Sequence, residues 1–336
     1  MKYRGVEMAQ VVRFHELGGP EVLRIEEHEV RLPEPGEVRL HVKAIGINRA
    51  ETLLRKGQYI EQAELPSSLG LEAAGIVEAI GENVQDIKIG DVVSVIPPPS
   101  MTRWPAYGEL AVFPARLIVK HPPLLNWEMA AAVWMQYITA YGALIDIANL
   151  KKGDFVVVTA ASSSVGLAAI QIANHIGAIS IAVTRTAEKR HALLNAGATH
   201  VISLDEGDLL NQLVNIAGKD GIRVVFDPVA GPNIQPITAA MSYGGIFIEY
   251  GGLSSETSPF PVGNVLMKSL TLRGYLMHEI TNDPIRLDKA KKFILEGLRS
   301  GALIPIIAKV FQFNEIIEAH KFVESNEQFG KIVVTL

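Results

Sequence analysis

The chain contains no cysteine, and this absence removes disulfides, thiolate-bound metals and cysteine nucleophiles together. It also lacks a block of like charge. The formal net charge is −5 over 336 residues, which speaks against a protein that grips nucleic-acid phosphates through clustered Lys and Arg. Long apolar runs are missing as well. The least polar stretch, Met129 to Ile145, is broken by Gln136, Thr139 and Gly142, so a buried helix is expected there and not a membrane span. The stretch Met1 to Gln10 carries charges and has no apolar segment of signal-peptide length; a cytoplasmic protein is expected. The nine histidines are scattered with no i, i+4 pair, and no internal repeat or low-complexity segment appears.

What is present suffices for packed interiors. With 48% hydrophobic and 20% charged residues the composition is that of a globular protein, and the length exceeds what one core usually holds, so two domains are expected. Up to about Lys120 the pattern is short alternating runs punctuated by Gly and Pro: Val11 to Phe14, Leu23 to Glu26, Val38 to Ala44, Gly75 to Ile80 and Val92 to Ile96. This predicts an all-β module. From Leu150 the rhythm changes to buried strands alternating with amphipathic segments. Phe155 to Thr159, Ile179 to Thr184, His200 to Ile202, Arg223 to Asp227 and Ile246 to Tyr250 predict a parallel, doubly wound sheet with crossover helices. Near Gly301 the β character returns. Lys309 to Phe311 and Lys331 to Thr335 are predicted strands around a helix from Asn314 to Glu324, and they are expected to complete the N-terminal module.

The strand Phe155 to Thr159 runs into Ala160-Ala161-Ser162-Ser163-Ser164-Val165-Gly166 and then an apolar helix from Leu167. A loop of small residues at a helix N-terminus lets backbone N–H groups approach a pyrophosphate. The glycine-rich dinucleotide pattern survives only as Ala161-x-Ser163-x-x-Gly166; the strand before and helix after supply the context it needs. The end of the following strand selects the cofactor. Thr184-Arg185-Thr186 with Lys189 carries no acid to hold a ribose 2′-OH, whereas Arg185 offers a planar fork and Lys189 a point charge for a 2′-phosphate, so NADPH is expected. The alternative is a solvated helix start, disfavoured because cations there oppose the helix dipole.

The segments Gly18-Gly19-Pro20-Glu21-Val22-Leu23, Gly46-Ile47-Asn48-Arg49-Ala50-Glu51, Gly70-Leu71-Glu72-Ala73-Ala74-Gly75-Ile76-Val77 with Gly81, and Phe226-Asp227-Pro228-Val229-Ala230-Gly231 resemble the medium-chain dehydrogenase/reductase superfamily. Within it they are similar to the quinone oxidoreductase and 2-alkenal reductase branch. The resemblance covers essentially the whole chain and keeps the motif order. It implies an α/β protein with a GroES-like β-barrel catalytic domain, 1–128 completed by 300–336, and a Rossmann NADPH-binding domain, 129–299. Zinc alcohol dehydrogenases of the superfamily bind their metal through Cys, His and Cys. Those positions match Asn48, Leu71 and Met135 here, and the four-cysteine lobe is absent from Pro97 to Pro114. Glu72 alone remains, and no metal is expected.

Without a Lewis acid the chemistry best suited to such a site is hydride transfer from NADPH to a quinone or to the C=C bond of an α,β-unsaturated carbonyl. The resemblance implies three catalytic candidates. Tyr59 matches the proton-donating tyrosine of enoyl-thioester reductases, with an aromatic lid as the alternative. Asn48 is implied to reach the nicotinamide ribose or substrate carbonyl. Thr139 stands where the family has a threonine beside the nicotinamide, with a bond to its own helix as the alternative. Val229, Tyr250, Gly251, Gly252 and Leu253 at strand ends, and Asn326 and Lys331 in the C-terminal segment, are implied cofactor contacts. Leu204 replaces a tyrosine common in relatives, which puts phosphate-end recognition on Arg185 and Lys189. Trp104, Tyr107 and Tyr275 line either a substrate cleft or the core, and Ser269 to Tyr275 resembles the edge strand through which relatives dimerise, so a homodimer is expected. Three other readings stay open: an enoyl-thioester reductase, a non-catalytic NADPH-binding protein of the lens-crystallin sort, and an alcohol dehydrogenase.

Overall fold

The computed structural model describes residues 7–336; the first six residues of the charged stretch Met1 to Gln10 lie outside those described. The chain divides into two compact units, Met1–Met135 with Pro305–Leu336, and Gln136–Ile304.

The first unit is built from β1 (Glu7–Phe14), β2 (Leu23–Val30), β3 (Glu37–Ile47), β4 (Ser67–Ser68), β5 (Glu72–Ile80), β6 (Val92–Val95), β7 (Leu110–Pro114) and β8 (Ile118–Lys120). Strands β4, β7 and β8 carry no alternation long enough to read from sequence. A three-stranded sheet runs β2-β1-β4. In β1 burial alternates along Met8 to Val11, the mark of a strand with one face on the core. β3 is buried along nearly its whole length, because it is central: β5, β7 and a C-terminal strand all pair with it. The core beneath includes Val12, Phe14, Leu40, Phe113 and Val334.

The second unit contributes β9 (Phe155–Val158), β10 (Ile179–Thr184), β11 (His200–Ser203), β12 (Ile222–Asp227), β13 (Met241–Glu249) and β14 (Thr271–Gly274). They form one parallel sheet in the order β11-β10-β9-β12-β13-β14, with the first strand in the middle and the chain winding outward both ways. All six carboxyl ends therefore lie along one edge, and the order reverses at β9, where doubly wound sheets open a crevice. The least polar stretch forms the helices Trp127–Ala130 and Trp134–Tyr141 and the π-helical turn Gly142–Ile147. No helix of the described residues is long and apolar enough to cross a membrane.

The chain then returns to the first unit as β15 (Ile307–Gln312) and β16 (Lys331–Thr335). β16 pairs antiparallel with β3, Ile332 opposite Ile47, and the seven-stranded sheet runs β15-β16-β3-β5-β6-β8 with β7 on β3. The intervening helix is Ile316–Ser325, entered through a 3₁₀ turn at Phe313–Glu315. It starts two residues later than the pattern suggests because Glu315 caps the turn, accepting from the Gln312 N–H at 2.8 Å.

Candidate functional site

β9 ends in a turn that the small residues permit. Ala160 lies at φ 44°, and Ser163 caps the helix Ser164–Ile176 by accepting from Gly166 N at 3.0 Å. Gly166 has no room for a side chain, since a Cβ there would meet the Ala161 and Ala160 carbonyl oxygens at 2.7 and 2.8 Å. The only glycine of the pattern is thus the one that sterics demand. Ser162 lies at the turn within reach of Lys189, whose ammonium donates to its hydroxyl at 3.3 Å. Arg185, next after buried Thr184, is exposed at the tip of β10. Leu204 donates its N–H to the Thr184 carbonyl at 3.0 Å and packs on the core. This loop brings a helix N-terminus, hydroxyls and two cations together, a donor set that fits a dinucleotide with a 2′-phosphate.

The next two strands end on acids. Asp227 accepts from the Thr159 hydroxyl, from Val229 N at 3.0 Å and from Ala230 N at 2.9 Å. Tyr250 stacks on Phe226 with centroids 4.0 Å apart. The segment after β13 is stitched to the segment after β12: Leu253 N donates to Pro228 O at 3.0 Å and Ser254 N to Val229 O at 2.8 Å. Val229, Tyr250, Gly251 and Leu253 are thereby gathered at one edge of the sheet. A Cβ at Gly251 would meet the Pro228 carbonyl at 2.8 Å, so this close approach requires glycine. Beside them opens a cleft of about 840 Å³ lined by Glu249, Tyr250, Tyr275, His278, Glu279 and Arg286 among others. Thr139 is buried in the helix Trp134–Tyr141.

In the first unit a second polar cluster is buried. Asn48 opens the helix Arg49–Arg55, and Glu51 closes a capping box, its carboxylate accepting from Asn48 N at 2.6 Å, Asn48 Nδ2 at 3.1 Å and Leu71 N at 3.2 Å. Burial pushes the Glu51 carboxyl up to about 7, against the pull of Lys331 and Asn48. Lys331 donates to Asn48 Oδ1 at 2.6 Å and to Glu72 Oε2 at 2.5 Å, and Met135 N donates to Glu72 Oε1 at 3.0 Å. Gly46 clears the space: a Cβ would lie 2.8 Å from Lys331 Cε and 2.9 Å from Glu72 Oε2.

The arrangement does not fit a zinc ion. Asn48 and Glu72 are held by the Lys331 ammonium, and the Leu71 and Met135 side chains offer no strong donor. Among the described residues no three His, Cys, Asp or Glu side chains come together as metal ligands.

The remaining sequence candidates fall in separate places. Tyr59 is half-buried on the first unit's core, its phenol pushed up to about 12 by burial and by Glu51 and Glu61. Asn326 ends the helix Ile316–Ser325 at φ 61° and accepts from the Arg49 guanidinium. Tyr107 is core, its hydroxyl 3.2 Å from His320 Nε2, and Trp104 donates its indole N–H to Glu37 at 2.7 Å; of the three aromatics, only Tyr275 lines the cleft. Sequence reasoning missed the Lys331–Glu72 pair and the acids Asp227 and Glu249. The signal for the acids was available: two buried strands that each end on a carboxylate.

Two family models match, "Alcohol dehydrogenase GroES-like domain" over residues 34–123 and "Zinc-binding dehydrogenase" over residues 164–292. Fold, loop and motif order define the class: the chain belongs to the medium-chain dehydrogenase/reductase superfamily. Human quinone oxidoreductase is 30% identical over 334 residues, with 99% of each chain covered. A 2-haloacrylate reductase from a Burkholderia species is also 30% identical, with 97% of this chain and 98% of the relative covered. The Escherichia coli quinone oxidoreductase solved with NADPH superposes with a TM-score of 0.89 at 30% identity, covering 98% of this chain and all of that one. Within the superfamily the branch is that of the quinone oxidoreductases.

Replacing Lys331 by Met leaves Glu72 buried without a counter-charge and is expected to destabilise the protein by about 3–5 kcal/mol. Adding Glu72→Gln should recover much of this loss. Urea denaturation of the single and double variants checks it, and a loss below about 1 kcal/mol in the single variant would mean that the pair is not the buried ion pair described.

Proposed function

We propose that the chain is an NADPH-dependent, metal-free oxidoreductase that reduces a quinone or the C=C bond of an α,β-unsaturated carbonyl. The observation that carries this reading is the Lys331 ammonium held between Glu72 and Asn48: a fixed protein cation stands where a zinc enzyme would need metal ligands. Alcohol oxidation needs the hydroxyl proton removed as hydride leaves, which a Lewis acid does in the zinc enzymes, whereas an enone or quinone is already polarised to accept hydride.

NADPH, when bound, supplies the hydride. In this reading Ala161, Ser162, Ser163, Ser164, Val165 and Gly166 hold its phosphates through the helix N-terminus and hydroxyls. Thr184 positions Arg185, which with Lys189 takes the 2′-phosphate. Val229, Tyr250, Gly251 and Leu253 border the nicotinamide half, with Thr139 against the ring. Tyr59 keeps its proton at neutral pH and donates a hydrogen bond to the substrate oxygen on which charge develops. Asn48, Asn326 and Lys331 act through position, because their side chains are engaged within the first unit.

A homodimer is part of this reading, supported by the outer edge of β14. Among the described residues no strand pairs with that edge, and the helix Val262–Lys268 just before it exposes Leu266 at 74% and Met267 at 81%, an apolar surface beside an open strand edge that a second copy would cover. The absence of cysteine supports a cytoplasmic location.

Oxidation of NADPH and of NADH by the purified protein, measured with a chelator present against quinones, enones, enoyl thioesters and simple ketones, tests the function. Rapid NADPH-selective turnover of a quinone or enone is expected. Preference for enoyl thioesters would move the reading to that class, activity abolished by chelator and restored by zinc would overturn it, and tight NADPH binding without turnover would make it a binding protein. Arg185→Ala should weaken NADPH by about 1.5–3 kcal/mol and leave NADH nearly unchanged; equal losses for both would remove the 2′-phosphate assignment. Light scattering at micromolar concentration should give twice the chain mass, and Met267→Lys should shift the population toward monomer; a monomeric wild type would exclude the dimer.

A further inference from the structure

β12 and β13 end on acids at the same register position, Asp227 opposite Glu249. Parallel neighbours in register point their side chains to the same face, and each of these two carboxyl groups acts on the other's proton affinity. Two carboxyls so close do not both ionise at neutral pH; one proton is held between them.

The surrounding donors decide where it rests. Asp227 accepts from one hydroxyl and two backbone N–H groups, which favour its charged form against the burial that raises its carboxyl. Glu249 Oε1 is buried and accepts from no donor, as suits a protonated carboxyl. Burial, then Asp227, raise the Glu249 carboxyl to about 9. The guanidinium in the cleft does not compensate: Arg286 is turned onto Asp146 at 2.9 and 2.5 Å, with Glu279 at 4.0 Å. The other titratable groups facing the cleft are Tyr275, His278, Glu279 and Asp283, with Tyr250 packed behind Glu249.

The rest of the inference depends on the NADPH reading. With the pyrophosphate at the helix after β9 and the 2′-phosphate at the tip of β10, the nicotinamide half falls at the carboxyl ends of β12 to β14, beside Glu249. The ring is neutral when reduced and cationic when oxidised.

We propose that Glu249 is the proton donor of the reduction, with Asp227 holding the negative charge beside it, and that appearance of the cationic nicotinamide draws the proton out. The balance closes. The substrate C=C takes a hydride from NADPH at its β-carbon and the Glu249 proton at its α-carbon; a quinone takes the same pair and leaves as hydroquinone. Glu249 would be left as a carboxylate that favours the oxidised, cationic nucleotide, and solvent entering the cleft would return its proton once the site is vacated.

This device has a signature that does not require turnover. Protein is mixed with NADP⁺ or with NADPH in weakly buffered indicator solution near pH 8, and protons released per nucleotide bound are counted. Release of about one more proton with NADP⁺ than with NADPH is expected; the 2′-phosphate is common to both nucleotides and cancels in the difference. Glu249→Gln should bind both nucleotides and lose the difference, and His278→Gln should keep it. Equal release for the two nucleotides in the wild type, or a difference that survives Glu249→Gln or disappears in His278→Gln, overturns the assignment. Failure to bind either nucleotide is a distinct result that overturns the NADPH reading and the inference with it.

Discussion

Keeping a lysine charged in a β-sheet core is costly without a counter-charge, and the first unit places one beside Lys331. Its ammonium is 1% exposed and lies 2.5 Å from Glu72, itself fully buried. The pair joins the first residue of β16 to the first residue of β5, with β3 between them. Two of the neighbouring motif residues serve it: Gly46 leaves room for the lysine stem, and Asn48 supplies the second acceptor while opening a helix. Desolvation makes this pair a poor source of net stability compared with apolar packing. Its value lies in specifying which strand ends meet, because any other register leaves a charge buried alone.

The second unit rests on a different constraint. A parallel sheet aligns all its carboxyl ends, and the segments that follow must satisfy their own backbone groups there. They do so by bonding to each other, through the Pro228 and Val229 carbonyls and the Asp227 side chain. Order at this edge comes from that mutual bonding, whose donors favour the charged form of Asp227 while burial raises its carboxyl. The carboxyl in register with it on the neighbouring strand is pushed up to about 9 by burial and by Asp227. Charge placement here is a consequence of sheet register.

Glu72 is neutralised by a lysine from near the far end of the chain, and both of its carboxylate oxygens accept hydrogen bonds, from Lys331 and from Met135 N.

The architecture was legible from the chain because its signals are local. Alternation with Gly and Pro marked the first unit's longer strands, and buried runs separated by amphipathic segments marked the parallel sheet. The turn after β9 was legible because small residues between a strand and a helix have few other uses. Short strands such as β8, with three residues, carry too little pattern to be seen. The aromatic residues were ambiguous for the same reason: nothing local separates Tyr107, packed in the core, from Tyr275, lining a cleft.

Residue composition and order alone thus determined the two-module class, the absence of thiolate chemistry and the cationic tip at Arg185 and Lys189. Tertiary structure alone decided which charges meet. Lys331 finds Glu72 across 259 positions of sequence, and Asp227 finds Glu249 only because two strands pair in one register. Periodicity records which face of an element is apolar, whereas electrostatic pairing depends on distances of a few ångströms between elements, which no local pattern encodes.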